Sequence, residues 1–480
     1  MNFFDTDAEL TALPKFERAV RGSLIVDEAV FWLLVAGLAW VPLWYGGNAP
    51  LAWGANAVFF PGLAALYELS IALPGRRHPV GFRALALPAA LFGAVILWIS
   101  LQSVTWLPGP LANPIWGMAA DALGKPLAAS ISINRDLTAL ALVRLLTAAS
   151  VFWLAVQLCR DGARANRLIA GIALIGCVYA AYGIVAAKTG QLGWLEVPAA
   201  EGHVTSTFVN ENSYATFAGM GLIAAAGLLI RAYQRGALDG GSWRLRLAAF
   251  IDISGREAAW LISAAFVSLA ALLLTGSRGG VLSTGAGLAL VGALALWRER
   301  QYRRRPIGAI ALMLGLVVAT LLVFGNIFAR HLDTSGLADS NRLAVFVLTA
   351  RSILDIPLLG FGYGTFSDVF PLYRDQSISL QGAWLQAHDS YIEQLQGLGL
   401  VFGGMLIAVL ALLGLRCLRG AIQRRENATV PLVAAGAACL VGLHAAADFS
   451  LQIQAVTLTF MAILGAGVGQ STSSRIDIGD

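Results

Sequence analysis

The side chains in this sequence best suited to chemistry are a few arginines, histidines, carboxylates and amides at the edges of long apolar stretches. Arg278, in LLLTGSRGGVLS (272–283), is flanked by glycines that let a large anion approach the backbone. A guanidinium fork suits phosphate oxygens, which it can bind bidentately. Arg342 can add positive charge from NRLAVFVLTARSIL (341–354), with Arg351 a weaker candidate on the same stretch. His388 has the side chain for proton transfer near neutrality, since an unperturbed imidazole titrates at about 6.5. Asp389 and Glu393 follow it, one helical turn apart, and either could orient the imidazole or accept a proton itself. Asn210, Asn212 and Tyr214, in HVTSTFVNENSYATFAG (203–219), offer the neutral hydrogen bonding and aromatic surface that sugars need. His444 and Asp448 stand four apart and, on one helix, would face each other.

Each assignment competes with a structural one. Arg278 can snorkel to lipid headgroups, His388 can be an ordinary loop histidine, and Asn212 can cap an incoming helix. Arg144 falls inside an apolar stretch, where a lone cation costs several kcal/mol, so it is either paired or lines a polar cavity. His203 and His331 are scattered, and no HExxH or DxD-like pair supports a metal site.

The elements that must position these residues are membrane-length helices. Only 13% of the 480 residues are charged and 58% are hydrophobic, against roughly 25% charged in soluble domains. Apolar runs of the length that crosses about 30 Å of hydrocarbon recur throughout, without the period-two alternation of an outer-membrane barrel. The expected class is all-α and polytopic, with spans at 30–47, 51–72, 83–103, 138–158, 167–187, 212–232, 257–275, 280–297, 306–327, 391–415, 430–447 and 452–469. Twelve spans put both termini on one side. That side then holds 24 of the lysines and arginines and the other side eight, with Arg144 inside a span. The positive-inside rule makes the richer side cytoplasmic.

The formal charge of +5 therefore reads as helix orientation and not as nucleic-acid binding. The four cysteines, within or beside spans and without CxxC spacing, suggest no disulfide framework. The N-terminal residues 1–29, with acidic residues and no early basic region, read as a retained cytoplasmic segment; 30–470 form the membrane domain and 471–480 a cytoplasmic tail. Long connections, 104–137, 188–211 and 328–390, all fall on the external side, where the chemistry-bearing residues also lie. In the longest, a short helix at 341–354 with Asn341 as its cap ends before Pro357, and Gly360, Gly362 and Gly364 then demand unusual backbone angles or close approach. No βαβ context makes those glycines a dinucleotide site.

In order along the chain, TFVNENSYA (207–215), TGSRGG (275–280), Arg342 with IPLLGFGYGTF (356–366), HDSYIEQLQGLGLVFGG (388–404) and HAAADFSLQIQA (444–455) resemble the O-antigen ligase family of bacterial membrane glycosyltransferases. This family also includes O-antigen and exopolysaccharide polymerases. The resemblance covers about 200–465. Gly399 fits the family's histidine-and-glycine stretch; Phe402 replaces its usual small or tyrosine-like residue, and Ser213 stands where some members carry a histidine. The resemblance implies transfer of a glycan from a polyprenyl diphosphate carrier at the periplasmic face of the inner membrane, with inversion and without a metal or other cofactor. The acceptor is a lipid A-core sugar in a ligase and another carrier-linked glycan in a polymerase. A ligase deletion leaves carrier-linked polymer that never reaches lipid A-core, whereas a polymerase deletion loses all polymer. The alternatives are a transporter, which twelve spans suit but mid-membrane sites and paired broken spans do not mark here, and a structural assembly subunit.

Overall fold

The computed structural model describes residues 15–106, 108–189, 203–236, 243–302, 340–378, 382–424 and 427–471. The expected ninth span, 306–327, and His331 lie outside the described residues. Described residues form fourteen α-helices and no strand: α1 Lys15–Trp40, α2 Pro50–Ala72, α3 Ala86–Gln102, α4 Ile115–Leu123, α5 Arg135–Leu158, α6 Gly162–Thr189, α7 Glu211–Gly236, α8 Trp243–Leu274, α9 Arg278–Tyr302, α10 Ser340–Asp355, α11 Phe366–Tyr373, α12 Ser390–Gln423, α13 Thr429–His444 and α14 Gln454–Ser471. Nine segments among the described residues are long and apolar enough to cross a membrane. They correspond to the first eight expected spans and the tenth. The eleventh is the 16-residue α13, apolar but short, and the twelfth is α14.

Two helices form the interior. Every side chain is buried in the apolar window of α7, and nearly all of α14 is buried. An all-round apolar helix with no polar face belongs inside a bundle. α6, α8, α9 and α13 surround α7, while α5, α12 and α13 pack on α14. Small residues make the closest of these approaches: a Cβ added to Gly465 of α14 would meet the Phe152 carbonyl of α5 at 2.5 Å. Without a hydrophobic drive between helices in lipid, such close backbone packing supplies the attraction.

A cluster of arginines marks one end of the bundle. Arg76 pairs bidentately with the buried Asp27, at 2.9 and 3.3 Å, and Arg164 and Arg167 both reach Glu28. At the same end Arg298 donates to the carbonyls of Ala421 and Arg424.

At the opposite end the long connections are more structured than expected. Residues 104–137 contain α4, and 340–389 contain α11 as well as the expected α10. Asn341 lies in the first turn of α10, which starts at Ser340, and so is not its cap. Val345, Leu348, Phe366, Phe370, Ile378 and Ala387 form a small separate core that seats this segment.

The glycine-alternating stretch docks against a break in α12. Gly399 there has φ +76° and ψ 167°, conformations foreign to a helix. The freed backbone groups are met from outside: Phe361 N–H donates to Gln396 O, Gly362 N–H to Gly397 O and Leu400 N–H to Pro357 O. The fully buried Gln102 of α3 completes the joint, donating to Leu359 O and Gly397 O and accepting from Tyr363 N–H. Gly360, Gly362 and Gly364 all take positive φ, the first of the two expected alternatives, and Gly362 makes the close approach as well. Gly362, at φ +109°, leaves no room for a side chain, because a Cβ would lie 2.3 Å from Ser132 Oγ. Gly362→Val should therefore cost about 3 kcal/mol or more from backbone strain and the broken Ser132–Thr138 hydrogen bond. A lowered unfolding midpoint in detergent checks this; an unchanged one refutes the docking role.

Candidate functional site

The site grows from the point where the long connection enters α12. Asp389 caps this helix, its Oδ1 accepting from Tyr391 N–H at 2.8 Å and Ile392 N–H at 3.1 Å. Burial raises its carboxyl above the usual carboxylate range against the pull of those two bonds. Glu393 is also spent locally, accepting from Ala387 N–H at 2.8 Å. The two carboxylates expected to orient His388 thus anchor the backbone around it. A helix start leaves N–H groups that need acceptors, which Asp389 supplies, while Glu393 reaches back to the chain just before the cap.

His388 takes φ +56°, a left-handed conformation that histidine tolerates better than most residues. Its ring stands edge-on to Trp384 and Phe449, with centroids 5.4 and 4.8 Å away. The carboxylate facing it is Asp448: His388 Nδ1 lies 3.9 Å from Asp448 Oδ1, an ion-pair distance longer than a hydrogen bond. Asp448 is fully buried, and burial pushes its carboxyl up to about 6, against the opposing effects of the Ser450 hydroxyl and Arg342.

The expected His444–Asp448 pair on one helix face does not form, because α13 ends at His444 and Asp448 lies in the following turn. The two residues are joined through hydroxyls instead. Ser450 Oγ donates to Asp448 Oδ2, Thr216 Oγ1 donates to Ser450 Oγ at 3.0 Å, and His444 Nδ1 lies 2.6 Å from Thr216 Oγ1. Thr216 and Ser450 are site residues that sequence reasoning missed; hydroxyls in apolar helices are common, and only their convergence from α7 and the turn before α14 distinguishes them. Ser390 adds a further tie, donating from its backbone to Ala445 O at 2.7 Å and from Oγ to Asp448 O at 3.0 Å.

The arginines approach from two other elements. Arg342 of α10 donates to Ala447 O at 3.3 Å, next to Asp448. Arg278 opens α9 directly after a turn in which Ser277 caps the helix, accepting from Gly280 N–H at 3.2 Å. The turn packs on the site: a Cβ on Gly279 would come within 3.0 Å of the His444 ring. Arg278 is half-buried, and its buried Nη1 has no hydrogen-bond partner. Ser277 Oγ in turn donates to Asn212 Oδ1 at 2.7 Å, fastening α7 to this turn.

Four expected binding residues fall outside the cluster or serve it only structurally. Asn210 is the cap of α7, accepting from Asn212 N–H and Ser213 N–H at 2.9 and 3.0 Å, so Asn212 is not. Tyr214 offers no surface to a sugar, being fully buried beside Phe208 with its hydroxyl toward Tyr179 O. Arg144 is paired structurally: it donates to Gln452 O and lies over the Trp53 ring, 4.5 Å from its centroid. Arg351 makes an exposed ion pair with Asp375 at 3.5 Å.

Three of the converging side chains, Arg278, Arg342 and His388, fall in one continuous stretch with a family of its own. Residues 263–404 match the O-antigen ligase family model. The match covers less than half of the chain and takes in three of the five motifs, 275–280, 356–366 and 388–404. No curated protein matches the chain. The O-antigen ligase likeness over 263–404 and the nine described membrane-length segments point to a bacterial membrane protein, and the likeness is to enzymes of ligase or polymerase type. Among the described residues no three His, Cys, Asp or Glu side chains are grouped to hold a metal ion.

Proposed function

We propose that this protein is an O-antigen ligase-like glycosyltransferase, moving a glycan from a polyprenyl diphosphate carrier to an acceptor sugar. The single observation that carries the reading is the meeting of His388, from the O-antigen ligase segment, with the buried Asp448 at the end of the bundle opposite the Asp27–Glu28 arginine cluster. The uneven distribution of basic residues supports an inner-membrane chain of twelve spans with both termini in the cytoplasm. In this arrangement residues 328–390 and the site lie in the periplasm.

In the proposed step the acceptor hydroxyl oxygen bonds to the anomeric carbon of the donor as the bond from that carbon to the diphosphate oxygen breaks. The diphosphate leaves with the electron pair, still on its carrier. The acceptor proton passes to His388 Nε2, the basic atom when Nδ1 carries its proton toward Asp448. Asp448 stabilises the imidazolium so formed, as a buried carboxylate behind a histidine can. Arg278 and Arg342 offset the charge gathering on the diphosphate, at little reorganisation cost because both start from fixed elements. Asn212 and the hydroxyls of Thr216 and Ser450 hold the three segments in register. The acceptor is a lipid A-core sugar in this reading.

The test is turnover by purified protein with a defined carrier-linked glycan. Arg278→Ala should lower kcat about a hundredfold, the usual cost of one charge-stabilising donor, with an unchanged unfolding midpoint. Full retained activity removes Arg278 from the mechanism, and labelling that finds Arg278 and His388 on the cytoplasmic side removes the reading as a whole.

A further inference from the structure

A groove of about 320 Å³ runs between α3, α5, α12 and α14, walled by apolar side chains such as Phe92, Phe152, Leu410 and Met461. It extends from Ser390 and Tyr391 at the site end to Phe82 and Trp153 at the arginine-rich end. Its two ends differ in charge. The site end is lined by neutral hydroxyls and amides, and among the described residues none that lines the groove is charged. At the other end, Arg83 is exposed between the lining residues Phe82 and Leu85. Arg416, less than one turn beyond the lining residue Leu413, crosses to donate to Ala84 O. The rings of Phe82 and Trp153 stack at 4.8 Å and His78 stands against both. Glu68, the carboxylate nearby, is engaged by His78 Nε2 at 2.8 Å and Trp153 Nε1 at 2.6 Å.

We propose that this groove binds an anionic phospholipid, with its phosphate between Arg83 and Arg416 and one acyl chain along the apolar walls. An apolar groove alone accepts any hydrocarbon chain; the charge at its mouth selects the headgroup, as basic pockets between membrane helices do. A guanidinium has five N–H donors, so Arg416 can keep the Ala84 carbonyl and add a phosphate. Phe82 and Trp153 place an aromatic wall where headgroup meets chain. The same charges argue against the carrier of the proposed reaction as occupant. Its diphosphate needs cations at the site end, and Arg278 and Arg342 stand on α9 and α10, which do not line the groove. The bound lipid would brace α3 and α5 against the broken α12.

The experiment titrates the purified full chain, delipidated in neutral detergent, with phosphatidylglycerol or phosphatidylcholine, read by native mass spectrometry and by unfolding midpoint. Phosphatidylglycerol should be retained and should raise the midpoint; phosphatidylcholine should do neither. Arg83→Gln and Arg416→Gln should each weaken phosphatidylglycerol about fivefold, one arginine's effect on an anionic lipid, while Arg416→Lys keeps most of the binding. Arg83 is exposed, and the lipid-free unfolding midpoint of its variant separates lost lipid binding from any effect on the fold. Ala149→Leu, which fills the groove, should exclude the lipid and leave the lipid-free midpoint unchanged. Equal retention of both lipids, or wild-type binding by both glutamine variants, overturns the proposal. Displacement of phosphatidylglycerol by polyprenyl phosphate, one for one, overturns it in favour of the carrier chain.

Discussion

His388→Ala should lower kcat for glycan transfer by about a hundredfold to ten-thousandfold, the range that a positioned general base contributes. KM for the carrier-linked donor should hardly move, because the proposed cations, and not His388, bind the diphosphate. The fold should survive. The His388 side chain is 19% exposed and its ring stands edge-on to Trp384 and Phe449, so an unchanged unfolding midpoint is the control for the kinetic loss. An alanine also has no side chain able to take the proton, so a residual rate measures binding and charge stabilisation alone. Steady-state kinetics with a defined donor and acceptor decide the matter: a variant with wild-type kcat leaves the acceptor proton to some other group.

The second large effect belongs to Asp448, and here activity and stability should move in opposite directions. Asp448→Asn keeps the shape and the Ser450 contact but removes the charge facing His388. Transfer should fall by at least about a hundredfold. His388→Ala/Asp448→Asn should be little worse than the worse single variant, since two residues acting as a unit are not additive. Stability should rise, or hold, at neutral pH. Burial pushes this carboxyl up to about 6 in the folded protein, above the roughly 4 of an aspartate in an unfolded chain. Between those two values the folded state binds more protons than the unfolded one, so wild-type stability increases as pH falls through about 6 toward 4. Above about 6 the ionised Asp448 stays as a cost of burial, and the asparagine variant escapes it. In the wild type, activity should decline over the same acid range, as protonation removes the charge beside His388. Unfolding midpoints and rates measured together across pH check the pair. An asparagine variant that is both active and less stable would make Asp448 a structural residue.

These two residues show where reading the sequence stopped. Each was singled out for its chemistry, but each was given the wrong neighbour. Asp389 and Glu393 lie close to His388 along the chain, and both are spent on nearby backbone N–H groups, Asp389 on those of the helix it starts. Asp448 was assigned to His444 by helical spacing, and that spacing fails because the helix ends at His444. Arg144 reads from sequence as either paired or lining a polar cavity, and its Nη2 meets the Gln452 carbonyl, 308 positions away. Tyr214 has the composition of a sugar platform, yet it faces inward from a helix whose whole apolar window is buried.

Composition and apolar run length by themselves determined an all-helical chain built of membrane-length segments, since a bilayer leaves the backbone few other ways to satisfy its hydrogen bonds. The spacing of Gly360, Gly362 and Gly364 called for unusual backbone angles or close approach, and the motifs at 275–280, 356–366 and 388–404 carried the family likeness. Tertiary structure alone decided that Asp448 faces His388, that Thr216 and Ser450 link it to His444, and that the broken α12 is held open by Gln102 and the glycine-rich strap. Periodicity reports which side chains share a face of one helix. It carries no record of which turns from α7, α9, α12 and α13 meet at one end of a bundle, because that follows from side-chain volume summed over the whole interior.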